Sequence, residues 1–208
     1  MIIAVDGPAA SGKGTIAKAL ARHYRLPHLD TGLLYRAVAF AVGQLDLDPE
    51  KEADAVAACD FEERMLEDPR LRDDRIGRLA SIVSAHPLVR AALLQRQKRF
   101  AHLPGGAILD GRDIGTVIAP DADAKLFVKA TPRIRAKRRH AELQGRGGLT
   151  SFDRVLADIR QRDERDSSRS AAPLVMAADA ALLDTSFLSI DSSVQKAIAL
   201  VEAARLLQ

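Results

Sequence analysis

The chain contains one cysteine, Cys59, so it can form neither an internal disulfide nor a cysteine-rich zinc site. It contains no asparagine, which removes the Asn-Lys-x-Asp segment by which guanine-reading switches hold their base. Aromatic residues make up only 4%, too few to interleave the basic side chains with a base-stacking platform for nucleic acid. No apolar run approaches the length of a membrane span. The segment from Met1 to Gly7 enters a strand pattern directly, without the basic region, apolar core and cleavage site of a secretory signal. These absences lead to the expectation of a cytoplasmic protein that engages neither membrane nor nucleic acid.

What is present suits one α/β domain. The 208 residues are enough for a sizeable core, and 47% hydrophobic with 28% charged is a globular balance. The net charge of +3 conceals a segregation. Residues 46–74 carry 12 acidic and 4 basic side chains, whereas 131–169 carry 11 basic and 6 acidic. A basic segment opposed to an acidic one suits a protein that grips a compact anion, although solvated helix faces would look the same.

Short apolar runs alternate with helical periods. Strands are expected at Ile2–Asp6, Pro27–Asp30, Ala107–Asp110, Lys125–Lys129 and Ala181–Asp184. Helices are expected over Thr15–Tyr24, Thr31–Leu45, Pro132–Gln144, from Phe152 behind a Ser151 cap, and over Val194–Leu207 behind an Asp191 cap. Pro87 is expected to open a further helix. The alternation predicts a five-stranded parallel sheet covered by helices on both faces. Two stretches break the rhythm, about 45–80 and 145–169, and are candidates for segments that cover a substrate. Gly145, Gly147 and Gly148 interrupt the helical pattern at the start of the second.

The most informative motif is Gly7-Pro8-Ala9-Ala10-Ser11-Gly12-Lys13-Gly14-Thr15. It follows a strand and opens a helix, the context in which a glycine-rich loop turns backbone N–H groups around phosphates. Lys13 adds a full charge for the β- and γ-phosphates of ATP. A hydroxyl residue normally follows the lysine directly; here Gly14 intervenes and Thr15 comes next, an ending similar to that of nucleoside monophosphate kinases rather than GTPases.

Four further clusters could hold a second anion. Thr31 and Tyr35 share one face of the second helix, and Arg36, one residue round, could grip a monophosphate bidentately. A capping threonine, a core tyrosine and a surface arginine would give the same letters. Ser81 and Arg90 lie in helical stretches, where position alone makes Arg90 a surface residue. Arg112 and Asp113 follow an apolar strand, at the strand end where open α/β sheets bind ligands. Arg162, Arg165, Asp166 and Arg169 fall at i, i+3, i+4 and i+7, one stripe of a helix. Self-paired charges explain one or two of these but not three arginines and an aspartate on the same line.

With GPAASGKGT, LDTGLLYR, LDGRDIGT and RDERDSSRSAAPL in this order, the chain resembles the bacterial cytidylate kinase family over nearly its whole length. The resemblance implies a phosphate-loop core within one kinase domain, an insertion for the nucleoside monophosphate at about 45–80, and a mobile lid at 145–169. It implies ATP phosphates on Gly7 to Thr15, with Mg²⁺ carried by ATP rather than by a dedicated metal site. CMP or dCMP would be the acceptor. Thr31, Arg36, Arg112 and Asp113 would hold its phosphate and sugar. Ser81 and Arg90 would read cytosine. Arg162 and Arg165 would meet the transferred phosphoryl group beside Lys13. Asp166 and Arg169 would contact the ribose and acceptor. Thr31 stands where serine is common in the family, and the first insertion is shorter than in its longer members, leaving its strand content open. A monomer is expected. UMP, AMP and shikimate kinases use the same phosphate loop and remain alternatives on that motif alone.

Overall fold

Ile2–Val5 and Ala107–Leu109 are apolar without interruption, the pattern of strands buried on both faces. In the computed structural model, which describes residues Met1–Leu206, they form the centre of a five-stranded sheet. The strands are β1 (Ile2–Asp6), β2 (His28–Asp30), β3 (Ala107–Gly111), β4 (Ala124–Lys129) and β5 (Ala181–Asp184), ordered β2-β3-β1-β4-β5 and all parallel. Register pairs Asp6 with Gly111 and Asp30 with Asp110, so the ends of β1, β2 and β3 lie side by side. The chain moves outward from β1 in both directions, which opens a crevice beyond these strand ends.

Eight helices are described: α1 (Lys13–Tyr24), α2 (Thr31–Gln44), α3 (Glu52–Ala57), α4 (Asp74–Val83), α5 (Pro87–Ala101), α6 (Pro132–Gly145), α7 (Phe152–Ser168) and α8 (Ile190–Arg205). Ile16 and Leu20 of α1 with Ala197 and Val201 of α8 close one face of the sheet over Ile3, Val5 and Val128. Ala101, Ile114 and Ile118 close part of the other over Ala4 and Leu109. A third cluster joins Leu34, Val38 and Val42 of α2 to Leu71, Ala80 and Val83. A small fourth cluster, Ala136, Val155 and Ile159, holds α6 to α7.

The stretch at 45–80 contains α3, two 3₁₀ turns (Glu63–Glu67 and Pro69–Arg72) and most of α4, with no strand among its described residues. Asp68 caps the second turn by accepting from Arg70 N, and Pro69 supplies the preset backbone of its first position. The stretch at 145–169 is a turn and α7; Gly145 ends α6, Gly147 adopts φ 80°, and the Ser151 hydroxyl caps α7. The last helix differs from expectation. Ser189, not Asp191, is the cap, accepting from Ser192 N at 3.1 Å, so the helix begins at Ile190 rather than Val194. A serine two residues earlier took the capping role that either side chain can fill. The expected end at Leu207 lies outside the described residues. No described helix is long and apolar enough to cross a membrane.

Candidate active site

The phosphate loop is shaped by its first glycine. Gly7 has φ 152°, and a Cβ there would sit 2.0 Å from the Val128 carbonyl oxygen of β4, so only glycine allows the loop to leave β1 so close to its neighbour. Ala10 (φ 58°) and Gly12 (φ 93°) turn the chain back into α1. The loop is braced from outside. Arg135 donates to the Ala9 carbonyl at 3.2 Å, and Arg138 and the Thr185 hydroxyl donate to the Ser11 carbonyl at 3.3 and 2.9 Å. Tying carbonyls outward favours N–H groups turned inward toward an anion. Pro8 accepts from Ser11 N at 3.4 Å, and the buried Ser11 hydroxyl has no partner. Gly14 lies beside Asp110, while Thr15 is exposed on α1.

Lys13, the first residue of α1, stands 3.6 Å from Asp110 Oδ2. Burial lowers its pKa and Arg112 pushes the same way, with Asp110 opposing.

Lys13, Ala9 and Ala10 open on a cleft of about 640 Å³ whose far side carries the acceptor candidates. Thr31, Tyr35, Arg36, Ser81, Arg90, Arg112, Asp113, Arg162, Arg165, Asp166 and Arg169 all line it; Gly7, Pro8, Ser11, Gly12, Gly14 and Thr15 form the loop behind it and do not. Asp30, rather than Thr31, caps α2, accepting from Gly32 N at 3.0 Å. The Thr31 hydroxyl instead donates to the Asp110 carbonyl at 2.9 Å. Tyr35 is core, as one reading of the motif allows, with its buried hydroxyl unpartnered. Arg36 is not a free surface arginine: it donates to the carbonyls of Leu71 (2.6 Å) and Asp73 (3.0 Å), and burial lowers its pKa.

The arginines at the strand end and on α7 form a chain of pairs. Arg112 Nε donates to Asp166 Oδ2 at 2.7 Å, joining β3 to α7. Burial opposes the charge on both groups, but their mutual attraction wins: the arginine is held above its usual range and the carboxyl below. Asp113 pairs with Arg90 and lies 3.7 Å from Arg169 Nη2. Arg90 is therefore buried, contrary to the surface position its helix suggests. Arg162 Nε stops 3.9 Å from Asp166 and, like Arg169 Nη2, has no hydrogen-bond partner. Burial, then the neighbouring Arg112, pulls the Arg162 pKa down to about 10. Buried guanidinium donors left unpaired carry a desolvation cost that an anionic ligand would relieve.

Sequence reasoning missed the braces on α6. Arg135 is buried and forks onto Asp163 of α7, with Nη1 to Oδ1 at 2.9 Å. Arg138 reaches Ser11 and Thr185; Arg139 reaches Asp74 at 2.7 Å. Their spacing, i, i+3 and i+4, is the same one-face signal that singled out Arg162, Arg165 and Asp166, and it was legible here too. His28, 2.7 Å from Asp110, had no such local signal.

A phosphate loop at the end of the first strand, facing an arginine-rich anion pocket across one cleft, defines a phosphotransferase of the nucleoside monophosphate kinase class. The family model for cytidylate kinase matches residues 3–203. The chain is 59% identical over 208 residues to a cytidylate kinase of Xanthobacter autotrophicus, covering 99% of each chain, and 58% identical to one of Azorhizobium caulinodans, covering 99% of this chain and all of the relative. It is 61% identical over 181 residues to a cytidylate kinase of a Methylobacterium strain, 86% of each chain. The chain belongs to the cytidylate kinase family. A solved structure of an uncharacterized protein from Eubacterium ventriosum shares the fold, with a TM-score of 0.57 over 98% of this chain and 99% of that one at 14% identity.

Proposed function

We propose that this protein transfers the γ-phosphoryl group of ATP to CMP and dCMP, giving CDP and dCDP. An oxygen of the acceptor phosphate attacks the γ-phosphorus in line, the bond to the β–γ bridging oxygen breaks, and ADP leaves. No protein nucleophile is required, because this chemistry needs positioning and charge rather than a covalent intermediate. The observation that carries the reading is the convergence of Lys13 with Arg112, Arg162 and Arg165 on one cleft.

In this reading the loop from Gly7 to Thr15 binds the ATP phosphates. Thr31, Arg36, Arg112 and Asp113 hold the acceptor phosphate and sugar, and Tyr35 forms the wall beneath. Ser81 and Arg90 read the cytosine; Asp166 and Arg169 hold the ribose side. Arg162 and Arg165 bring charge to the transferring group as the segment at 145–169 closes as a lid. The segment around 45–80 acts as the monophosphate-binding insertion of a single domain.

Among the described residues no three His, Cys, Asp or Glu side chains are grouped to cage a metal. That donor set fits Mg²⁺ arriving on ATP with much of its water retained, and Asp30, which lines the cleft, would hold that water. When bound, the ion neutralises developing charge on the phosphate oxygens. A monomer acting in the cytoplasm completes this reading.

A coupled assay of ADP release with CMP, dCMP, UMP, AMP and shikimate side by side tests the reading. CMP and dCMP should lead by a large factor, since a site built to hydrogen-bond one base leaves polar groups unpaired with another, a penalty of up to about 10⁴-fold. Equal turnover of AMP or shikimate would overturn it.

A further inference from the structure

Asp110 at the end of β3 is almost wholly buried, and its two oxygens face two different nitrogen groups. His28 Nε2 lies 2.7 Å from Oδ1, whereas Lys13 Nζ stands back at 3.6 Å from Oδ2, beyond hydrogen-bond distance. The β2–β3 register makes this possible. His28 faces Ile108 and Asp30 faces Asp110, so His28 and Asp110 are diagonal neighbours on the same side of the sheet, beneath the start of α1. His28 belongs to none of the motifs that bind nucleotide, and it is not among the cleft-lining residues.

We propose that His28 is a positioning residue for the phosphate-loop lysine: by donating to one oxygen of Asp110 it keeps that carboxylate from capturing Lys13, which stays available to the ATP phosphates. The inference rests on the proposed phosphotransfer function. Its physical basis is that a buried carboxylate must be satisfied. Burial works against the charge on Asp110, while the hydrogen bond from His28 and the attraction of Lys13 and of Arg112 hold its carboxyl below the usual range. Remove the imidazole and Oδ1 is left without a donor. Lys13, 3.6 Å from Oδ2, is then the cation placed to pair with the carboxylate directly. A lysine so paired must be pulled off a buried carboxylate before it can meet a phosphate.

The test compares His28→Leu, His28→Gln, Asp110→Asn and the His28→Leu/Asp110→Asn double variant in the full chain. Calorimetry with Mg²⁺–ATP and, separately, with CMP gives affinities, and the coupled assay gives kcat. His28→Leu should weaken ATP binding and lower kcat by about tenfold or more, the scale of one hydrogen bond to a buried charge, with CMP affinity unchanged. Glutamine can place its amide nitrogen where Nε2 was and should restore most of both. In the Asp110→Asn background, where no carboxylate can take the lysine, His28→Leu should add less than about twofold, because coupled residues are non-additive. Wild-type ATP affinity and kcat in His28→Leu would overturn the proposal. So would full additivity in the double variant, or parallel loss of CMP affinity and melting temperature without rescue by glutamine, the mark of a merely structural histidine. A wild-type protein that binds ATP yet phosphorylates no CMP would sink the functional reading, while the ATP-affinity arms would still judge His28.

Discussion

Arg165 on α7 donates Nη1 to the Ser81 hydroxyl on α4 at 2.6 Å, and this bond ties the lid helix to the helix that carries a candidate base reader. Arg139 of α6 makes a second tie, to Asp74 two turns earlier on α4. Helices α6 and α7 thus both meet α4 beside the cleft, and under the proposed reading a cytosine competes with Arg165 for Ser81. Ser81→Ala should raise the CMP dissociation constant about fivefold, the value of one neutral hydrogen bond. Calorimetry without ATP measures it, and an unchanged constant would remove Ser81 from the base site.

Lys13→Ala should reduce kcat by about a thousandfold, the lower end of what a cation directed at the transferring phosphate contributes. The fold should survive, because Asp110 keeps its bond to His28 when the lysine is gone. Near-normal turnover with CMP would refute the phosphate-loop assignment; a collapsed circular dichroism melt would refute the structural half of the expectation.

Gly77 on α4 gives a prediction that separates helix propensity from acceptor binding. A Cβ there would lie 2.6 Å from Arg36 Nη2 and 3.1 Å from Cζ. The guanidinium is the end of a flexible side chain, so it moves and the helix stays. Gly77→Ala should stabilise α4 by up to about 1 kcal/mol through helix propensity. It should also raise KM for CMP several-fold with kcat nearly intact, because Arg36 loses its seat on the Leu71 and Asp73 carbonyls. Unaltered KM would show that Arg36 does not grip the acceptor from this seat.

Asp6 links the two motifs of the site and should leave a signature in pH. Its oxygens accept from Ile114 N (2.9 Å) and Gly115 N (2.8 Å), fixing the turn that follows Arg112 and Asp113. Burial outweighs these bonds and raises its pKa from 3.8 to about 6. With the folded value above the unfolded one, the native state binds the extra proton between pH 4 and pH 6, so stability from this group is present below about pH 4 and lost as pH rises through 6. The full swing is roughly 3 kcal/mol. Comparing chemical denaturation of wild type and Asp6→Asn across that window isolates the effect: the wild type should lose ground relative to the variant as pH increases. A difference that is flat with pH would mean Asp6 titrates normally.

Much of this architecture was legible from short-range patterns. Uninterrupted apolar runs marked β1 and β3, and glycine spacing behind a strand marked the phosphate loop. The i, i+3, i+4 spacing of Arg162, Arg165 and Asp166 marked the face of α7 that turns to the cleft, but Arg169, expected on the same stripe at i+7, lies past the end of the helix at Ser168 in extended backbone. What escaped depends on contacts between distant segments. Arg90 reads as a surface residue until Asp113, 23 residues away, is folded against it. Arg36 finds carbonyls 35 and 37 residues on, and the His28–Asp110 pair spans 82. Ser189 and Asp191 show the opposite limit: both can cap a helix, and only the backbone turn decides between them.

Arg162 is the sharpest test of the lid. It sits on α7 with Nε unpaired, 3.9 Å from the nearest carboxylate oxygen, while the neighbouring Arg112 already occupies Asp166. Burial and Arg112 together depress its pKa to about 10, so it remains charged at neutral pH at a desolvation cost. A guanidinium in this state gains most when negative charge builds up in front of it, as on the equatorial oxygens of a transferring phosphoryl group. Interactions that strengthen only in the transition state affect kcat rather than ground-state affinity. Arg162→Ala should therefore lower kcat at least about tenfold, within the range that phosphate-directed arginines contribute. CMP affinity measured without ATP should change far less than kcat, because the interaction strengthens only as charge builds on the transferring group. Arg162→Lys should recover little, since a point charge cannot reproduce the planar fork. Weakened CMP binding with kcat intact would move Arg162 into the acceptor site, and a variant unchanged in both would return it to an ion-paired helix face with no part in the reaction.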